Sequence, residues 1–342
     1  MRILKALYFL LGLVILGFVV AEVNIAEVAI QVKKVGLGIF VLLAIYFVAF
    51  IVDTLAWQLV LVQVPLNIRW AFRALNIRMI SEVFNTLIPA AGLGGEPLKV
   101  NLLKKRYGIG YRESAASIIL IKTIHLSALV CFLIIGFILL SRSTALDATF
   151  GDVASIGLMV FGVMIFLFFV VQRWRIASLA GTWLSGFRFA RRLQPMLHHI
   201  RDMEERLIHV YTHHRGRIAG AFCLAFFNWY LGAVEIYYAM IFLGHPITIT
   251  EAWIVEAAVQ LVLNGAFFIP GNIGTQEGVF LLVYSAMTGS PTLGVAVAVV
   301  RRFRELLWLV AGLVLGAVVP LKALFAKASS QKADVTSPPG ES

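Results

Sequence analysis

Six long apolar runs dominate the chain, at about 4–21, 35–62, 114–140, 153–171, 218–243 and 295–318. Each approaches or exceeds the ~20 residues that carry a helix across a bilayer core, so six full crossings are predicted. Two further apolar stretches are interrupted. The first break runs from Asn85 through Pro89, Gly92, Gly94 and Gly95 to Glu96 and Pro97. The second runs from Asn264 through Pro270, Gly271, Asn272, Gly274 and Gln276 to Glu277 and Gly278. Prolines and glycines at this density do not continue a membrane helix. In both breaks a proline opens a glycine-rich turn and a glutamate follows seven positions later. Paired Gly/Pro-interrupted segments in two halves of a chain point to a transporter site.

The charges between the runs set an orientation. Arg69, Arg73 and Arg78 follow the second run, and Lys99, Lys104, Lys105, Arg106 and Arg112 follow the first break. Segment 172–217 holds nine arginines against three acids, while 141–152 has a single arginine and 244–250 has no Lys or Arg. Placing the basic loops in the cytoplasm puts both termini inside. The first break then dips from the cytoplasmic face and the second from the outer one. The predicted fold is therefore an all-α polytopic membrane protein, with six full crossings plus two opposed re-entrant helical hairpins in an inverted repeat. Residues 1–320 form one integral membrane domain with repeat halves at about 81–140 and 256–318. Segment 172–217 is a cytoplasmic amphipathic insertion, and 321–342 is a disordered cytoplasmic tail.

Composition agrees with the pattern. The 342 residues are 60% hydrophobic and 14% charged, with a formal net charge of +11. A soluble basic module long enough for nucleic-acid binding is absent, so the charge reads as positive-inside bias and then as attraction to anionic lipid. Cys131 and Cys223 fall inside apolar runs, which argues against a disulfide framework. The histidines of 172–217, with His209 and His213 four apart, lack an acid or cysteine to complete a metal site. No G-x-x-x-x-G-K-[ST] phosphate loop occurs. No metal and no cofactor is expected.

The candidate chemistry centres on charge at membrane depth. Pro97 suits the first turn of a half-helix, whose free N–H groups attract an anion. Glu96 and Glu277 occupy comparable places after their breaks, and two readings stay open: helix-start carboxylates favoured by the dipole, or functional groups that justify the cost of intramembrane charge. Lys122 (with His125 on the next turn) and Arg301, Arg302, Arg304 and Glu305 lie inside crossings. The separations Glu96 to Lys122 and Glu277 to Arg302 are nearly equal. These cations either pair with the glutamates or bind a lipid phosphate, and the two roles are compatible. Asn85, Asn264, Asn272 and Gln276 offer uncharged hydrogen bonds, Lys99 joins the first group, and Asp53 and Glu235 are further acids outside the repeat.

The segments Leu87-Ile88-Pro89, Gly94-Gly95-Glu96-Pro97-Leu98-Lys99 and Ile269-Pro270-Gly271-Asn272-Ile273-Gly274-Thr275-Gln276-Glu277-Gly278 resemble the flippase-like family related to the membrane domain of lysylphosphatidylglycerol synthases. They are similar also to its hopanoid-associated subgroup. The likeness spans about 5–320, and the first break differs from the arginine-containing form of its motif. The resemblance implies movement of a lipid between leaflets of the bacterial inner membrane. It marks Gly94, Gly95, Glu96, Pro270, Gly271, Gly274, Glu277 and Gly278 as site residues. The expected partner is a membrane lipid, anionic or polycyclic, and a homodimer is compatible with the sequence. The soluble aminoacyl-transfer domain of the bifunctional synthases is not in this chain, so enzymatic aminoacylation is not expected. A membrane enzyme acting on a lipid headgroup and a non-catalytic partner of lipid-synthesis machinery remain as alternatives.

Overall fold

The computed structural model describes residues 30, 33–87, 94–142, 214–265, 275–288 and 291–318. Among these residues the chain is all-helical: α1 (Gly38–Val60), α2 (Ile68–Leu87), α3 (Glu96–Tyr107), α4 (Tyr111–Ser141), α5 (Arg215–Phe242), α6 (Ile249–Gly265), α7 (Thr275–Thr288) and α8 (Pro291–Val318). The predicted crossings 4–21 and 153–171, most of the 172–217 insertion and the 321–342 tail lie outside the described residues.

Local chemistry explains the helix boundaries. Asn67 Oδ1 accepts from the Trp70 N–H and so caps the start of α2. That helix ends at Leu87, just before the residue that precedes Pro89, where proline disfavours helical backbone. Pro97 falls in the first turn of α3, as predicted. At the other end of α3, Gly108 adopts φ 72° and its N–H returns to the Leu103 and Lys104 carbonyls, a left-handed cap that glycine takes at little cost. Thr248 and Glu251 form a reciprocal capping box ahead of α6: Glu251 Oε2 accepts from the Thr248 N–H at 2.7 Å, and Thr248 Oγ1 accepts from the Glu251 N–H at 3.2 Å.

Among the described residues three helices are long and apolar enough to cross a membrane: α1, α4 and α5. They coincide with the runs at 35–62, 114–140 and 218–243. Helix α8 realises the run at 295–318 and spans 28 residues, but it carries four charged side chains near its middle. The chain is a multi-pass membrane protein. Two expectations need correction. The stretch holding Arg69, Arg73 and Arg78 is not a loop, because α2 begins at Ile68 and runs for 20 residues. The insertion also ends sooner than 217, since Arg215 already opens α5.

In chain order the helices form two sets of four, α1–α4 and α5–α8, and the two sets pack extensively on each other. Helices α1 and α5 run antiparallel: Gly38, at the start of α1, sits on the Phe242 ring, and Leu59, near its end, meets Gly220. Helix α2 packs on α8, where Gly312 lies against Met79 and Val83. Reciprocally α6 packs on α4, where Gly136 lies against Ala257 and Trp253. Glycine at both crossings lets the backbones approach closely without a hydrophobic driving force between helices. Each group thus consists of a long helix, a helix that stops at a break, a short helix of 12 or 14 residues, and a second long helix.

Candidate functional site

The first break is closed by contacts reaching across it. Asn85 Oδ1 accepts from the Gly95 N–H at 2.7 Å. Gly95 lies so close to α2 that a Cβ would overlap the Ser81 carbonyl. This contact brings the start of α3 against the end of α2 and aims Glu96 inward, where the residue is only 6% exposed. Glu96 Oε1 accepts from Lys99 Nζ at 3.1 Å and stands 3.2 Å from Lys122 Nζ. Glu96 Oε2 lies 3.1 Å from Lys99 but has no hydrogen-bond partner among the described residues. Lys99 is itself buried, whereas the Lys122 side chain is 47% exposed.

One layer deeper, Asp53 of α1 pairs with Arg78 of α2 and with His125 of α4. Arg78 also donates to the Phe50 carbonyl at 3.2 Å and lies over the Phe50 ring. Asn85 Nδ2 donates to Glu82 at 3.4 Å. Four helices therefore converge here, and the named charges balance: Asp53, Glu82 and Glu96 against Arg78, Lys99 and Lys122. Taking an unpaired charge out of water costs several kcal/mol, and pairing is what makes this burial tolerable.

The second group of helices holds a matching set. Glu256 of α6, 2% exposed, accepts from Arg301 Nη2 at 2.6 Å. Glu235 of α5 pairs with Arg304 and stands 3.9 Å from Arg301. Glu305 accepts from Arg302 at 3.0 Å. Along one face of α6, Gln260 donates to Glu256 at 2.8 Å and Asn264 donates to the Gln260 carbonyl at 2.8 Å, a polar track ending at the second break. Gln276, in the first turn of α7, is buried, and its Nε2 has no partner among the described residues. Tyr46 of α1 sits between the two sets. Arg304 lies 4.0 Å over its ring, and Arg78, Glu82 and Glu305 are within electrostatic reach.

The sequence profile described as "Lysylphosphatidylglycerol synthase TM region" matches residues 5–314, a span that holds every charged side chain above. The chain belongs to the lysylphosphatidylglycerol synthase transmembrane-region family. A UPF0104 membrane protein of Methanothermobacter thermautotrophicus is 25% identical over 340 residues, covering 92% of this chain and 94% of its own length. A second UPF0104 membrane protein, from Pyrococcus horikoshii, is 24% identical over 286 residues, covering 77% and 82%. No solved structure matches the chain.

In this family member the expected residues of the first half, Asn85, Gly94, Gly95, Glu96, Lys99 and Lys122, fall on the α2–α3 turn and the facing wall of α4. Of the second half, Asn264, Gln276, Arg301 and Arg302 are described. Pro270, Gly271, Asn272 and Gly274 lie outside the described residues, and of Glu277 only its place, third in α7, is known. Glu96, by contrast, is the first residue of α3, so the two glutamates are not strictly equivalent in their helices. Pairing of the α8 arginines with Glu277 was one expectation. The described contacts give Arg301 to Glu256 and Arg302 to Glu305, and the Glu277 side chain lies outside the described residues.

Sequence reasoning overlooked Glu256 and Glu82 and treated Arg78 as a loop charge. The signal for Glu256 was present, as an acid inside the apolar stretch 252–265. Asp53 and Glu235 were noticed without a role, and they prove to be the acids through which α1 and α5 join their charge sets.

Proposed function

We propose that this protein moves a polar-headed lipid between the leaflets of a cell inner membrane, with both termini in the cytoplasm. In this reading the α2–α3 and α6–α7 pairs are re-entrant hairpins entering from opposite faces, and the two four-helix groups are inverted repeats. The reciprocal crossings α2 on α8 and α6 on α4 support such a repeat, because a two-fold relation between the groups interchanges them. Family membership supports a lipid-related role.

The observation that carries the reading is the pairing of a buried carboxylate with a half-exposed lysine at the first break. Lys122 offers a cation to a headgroup phosphate, and Glu96 Oε2 offers an acceptor to a hydroxyl or ammonium group beside it. The remaining charges are satisfied by one another and hold the walls in place. Most described charges of the second set are buried, and in this reading the headgroup enters at the Lys122 side while acyl or polycyclic parts stay in the bilayer. Among the described residues no group in the site forms a nucleophile–base pair.

The test is a proteoliposome assay with labelled lipid, scoring transfer between leaflets and analysing the product by mass spectrometry. Transfer of chemically unchanged lipid, lost in Lys122→Gln, is the expected result. A modified headgroup would establish the enzymatic alternative. Equal transfer by protein-free vesicles and wild-type protein would refute the reading.

A further inference from the structure

Five helix ends meet at one pole of the bundle, around Leu61, Val64, Trp70, Tyr107, Ile109 and Ile218. They are the end of α1, the start of α2, the end of α3 and the starts of α4 and α5. Arg69 and Arg73 come to this pole from α2, Lys104 and Lys105 from α3, and Arg215 and Arg217 from α5. Arg106 and Arg112 extend the same rim. Within 61–81, 100–116 and 214–220 the only acid is Glu113. At the opposite pole the described charges are sparse: Lys33, Lys34 and Arg142 against Glu251.

The basic pole is also apolar. Leu66, Ile68, Phe72 and Tyr111 are all more than half exposed. The Arg73 guanidinium lies 4.9 Å from the Trp70 ring and 5.1 Å from the Tyr107 ring, and the two rings are 4.9 Å apart. Arg217 Nη1 is a buried donor with no partner among the described residues. Water alone does not suit so much exposed apolar surface, and hydrocarbon alone does not suit the cations. The headgroup layer accommodates both, with aromatic rings at its depth. The sign of the charge then selects an anionic headgroup. Arg73 and Lys104 are each five residues from Arg78 and Lys99 on their own helices, about 7.5 Å along the axis, so the rim lies between one and two helical turns from the charged site.

We propose that this rim is a docking surface for the phosphodiester headgroups of anionic phospholipids in the leaflet it faces. It rests on the translocase reading only for the onward step to Glu96, Lys99 and Lys122, and it names an anionic phospholipid as the lipid delivered there.

The test uses the full chain in vesicles of phosphatidylcholine containing trace spin-labelled phosphatidylglycerol or spin-labelled phosphatidylcholine, comparing the protein-immobilised fraction of each label. Wild type selects the anionic label. The variant Arg69→Gln/Lys104→Gln/Lys105→Gln, at exposed positions, loses up to about fivefold in selectivity per charge removed, and high salt does the same to wild type. Lys33→Gln/Lys34→Gln at the opposite pole keeps the wild-type preference. Unchanged selectivity in the triple variant overturns the proposal, as does displacement of the label by millimolar inorganic phosphate, which would mark a site for soluble anions. Leaflet transfer is scored in parallel vesicles: anionic preference without transfer overturns the translocase reading and leaves the rim standing, while transfer without preference does the reverse.

Discussion

The two lysines that face Glu96 differ in a way that separates stability from function. Lys99 is buried and Lys122 is half exposed, yet their Nζ atoms lie at nearly the same distance from the carboxylate, 3.1 and 3.2 Å. Removing one partner of a fully buried pair costs about 3–5 kcal/mol, because the other charge is left uncompensated. In Lys99→Gln the carboxylate retains Lys122, which reduces the expected loss to about 2–3 kcal/mol. In Lys122→Gln, Glu96 retains the buried Lys99 and the lost cation is half exposed, so the loss is the smaller of the two, about 1 kcal/mol. If Lys122 is the group offered to a headgroup, its variant nonetheless loses lipid transfer. The assay is thermal unfolding in one detergent for both variants, followed by reconstitution of Lys122→Gln for leaflet transfer. Equal destabilisation by the two substitutions would refute the reasoning from exposure, and normal transfer by a stable Lys122→Gln would refute the role of that lysine.

Three further outcomes follow from other contacts. Glu256→Gln leaves Arg301 buried with Glu235 at 3.9 Å and should lose about 2–4 kcal/mol, most of it restored in Glu256→Gln/Arg301→Met, where no lone charge remains; additive losses in a double-mutant cycle by thermal unfolding would show that the pair is not coupled. Gly95→Ala drives a methyl into the Ser81 carbonyl and should lose at least about 2 kcal/mol by thermal unfolding; a wild-type melting temperature would refute the close approach. Thr248→Ala removes the side-chain half of the α6 capping box and should lose about 1 kcal/mol by thermal unfolding, without altering lipid transfer, because the cap is exposed and distant from the charge sets.

Much of the arrangement could be read from apolar run length and from proline and glycine. The runs at 35–62, 114–140 and 218–243 correspond to α1, α4 and α5, and Pro89 and Pro97 bracket the gap between α2 and α3. Pairing was harder to read. Asp53 meets Arg78 and His125, and Glu256 meets Arg301 across 45 positions, because helices far apart in sequence are neighbours in the bundle. A one-dimensional pattern identifies which charges are expensive but not which partner offsets each of them. Arg78 shows the same limit: beside Arg69 and Arg73 it reads as another orienting loop charge, whereas its place on α2, facing Phe50 and Asp53, makes it part of the interior.

Gly136 and Gly312 have a mechanical corollary. From the glycine side of each crossing nothing larger than a hydrogen atom projects, and Ala257 and Val83 occupy the space a Cβ would take, so the facing side chain is keyed into a notch. A side chain larger than glycine at either position would therefore wedge the two backbones apart rather than let them slide along each other.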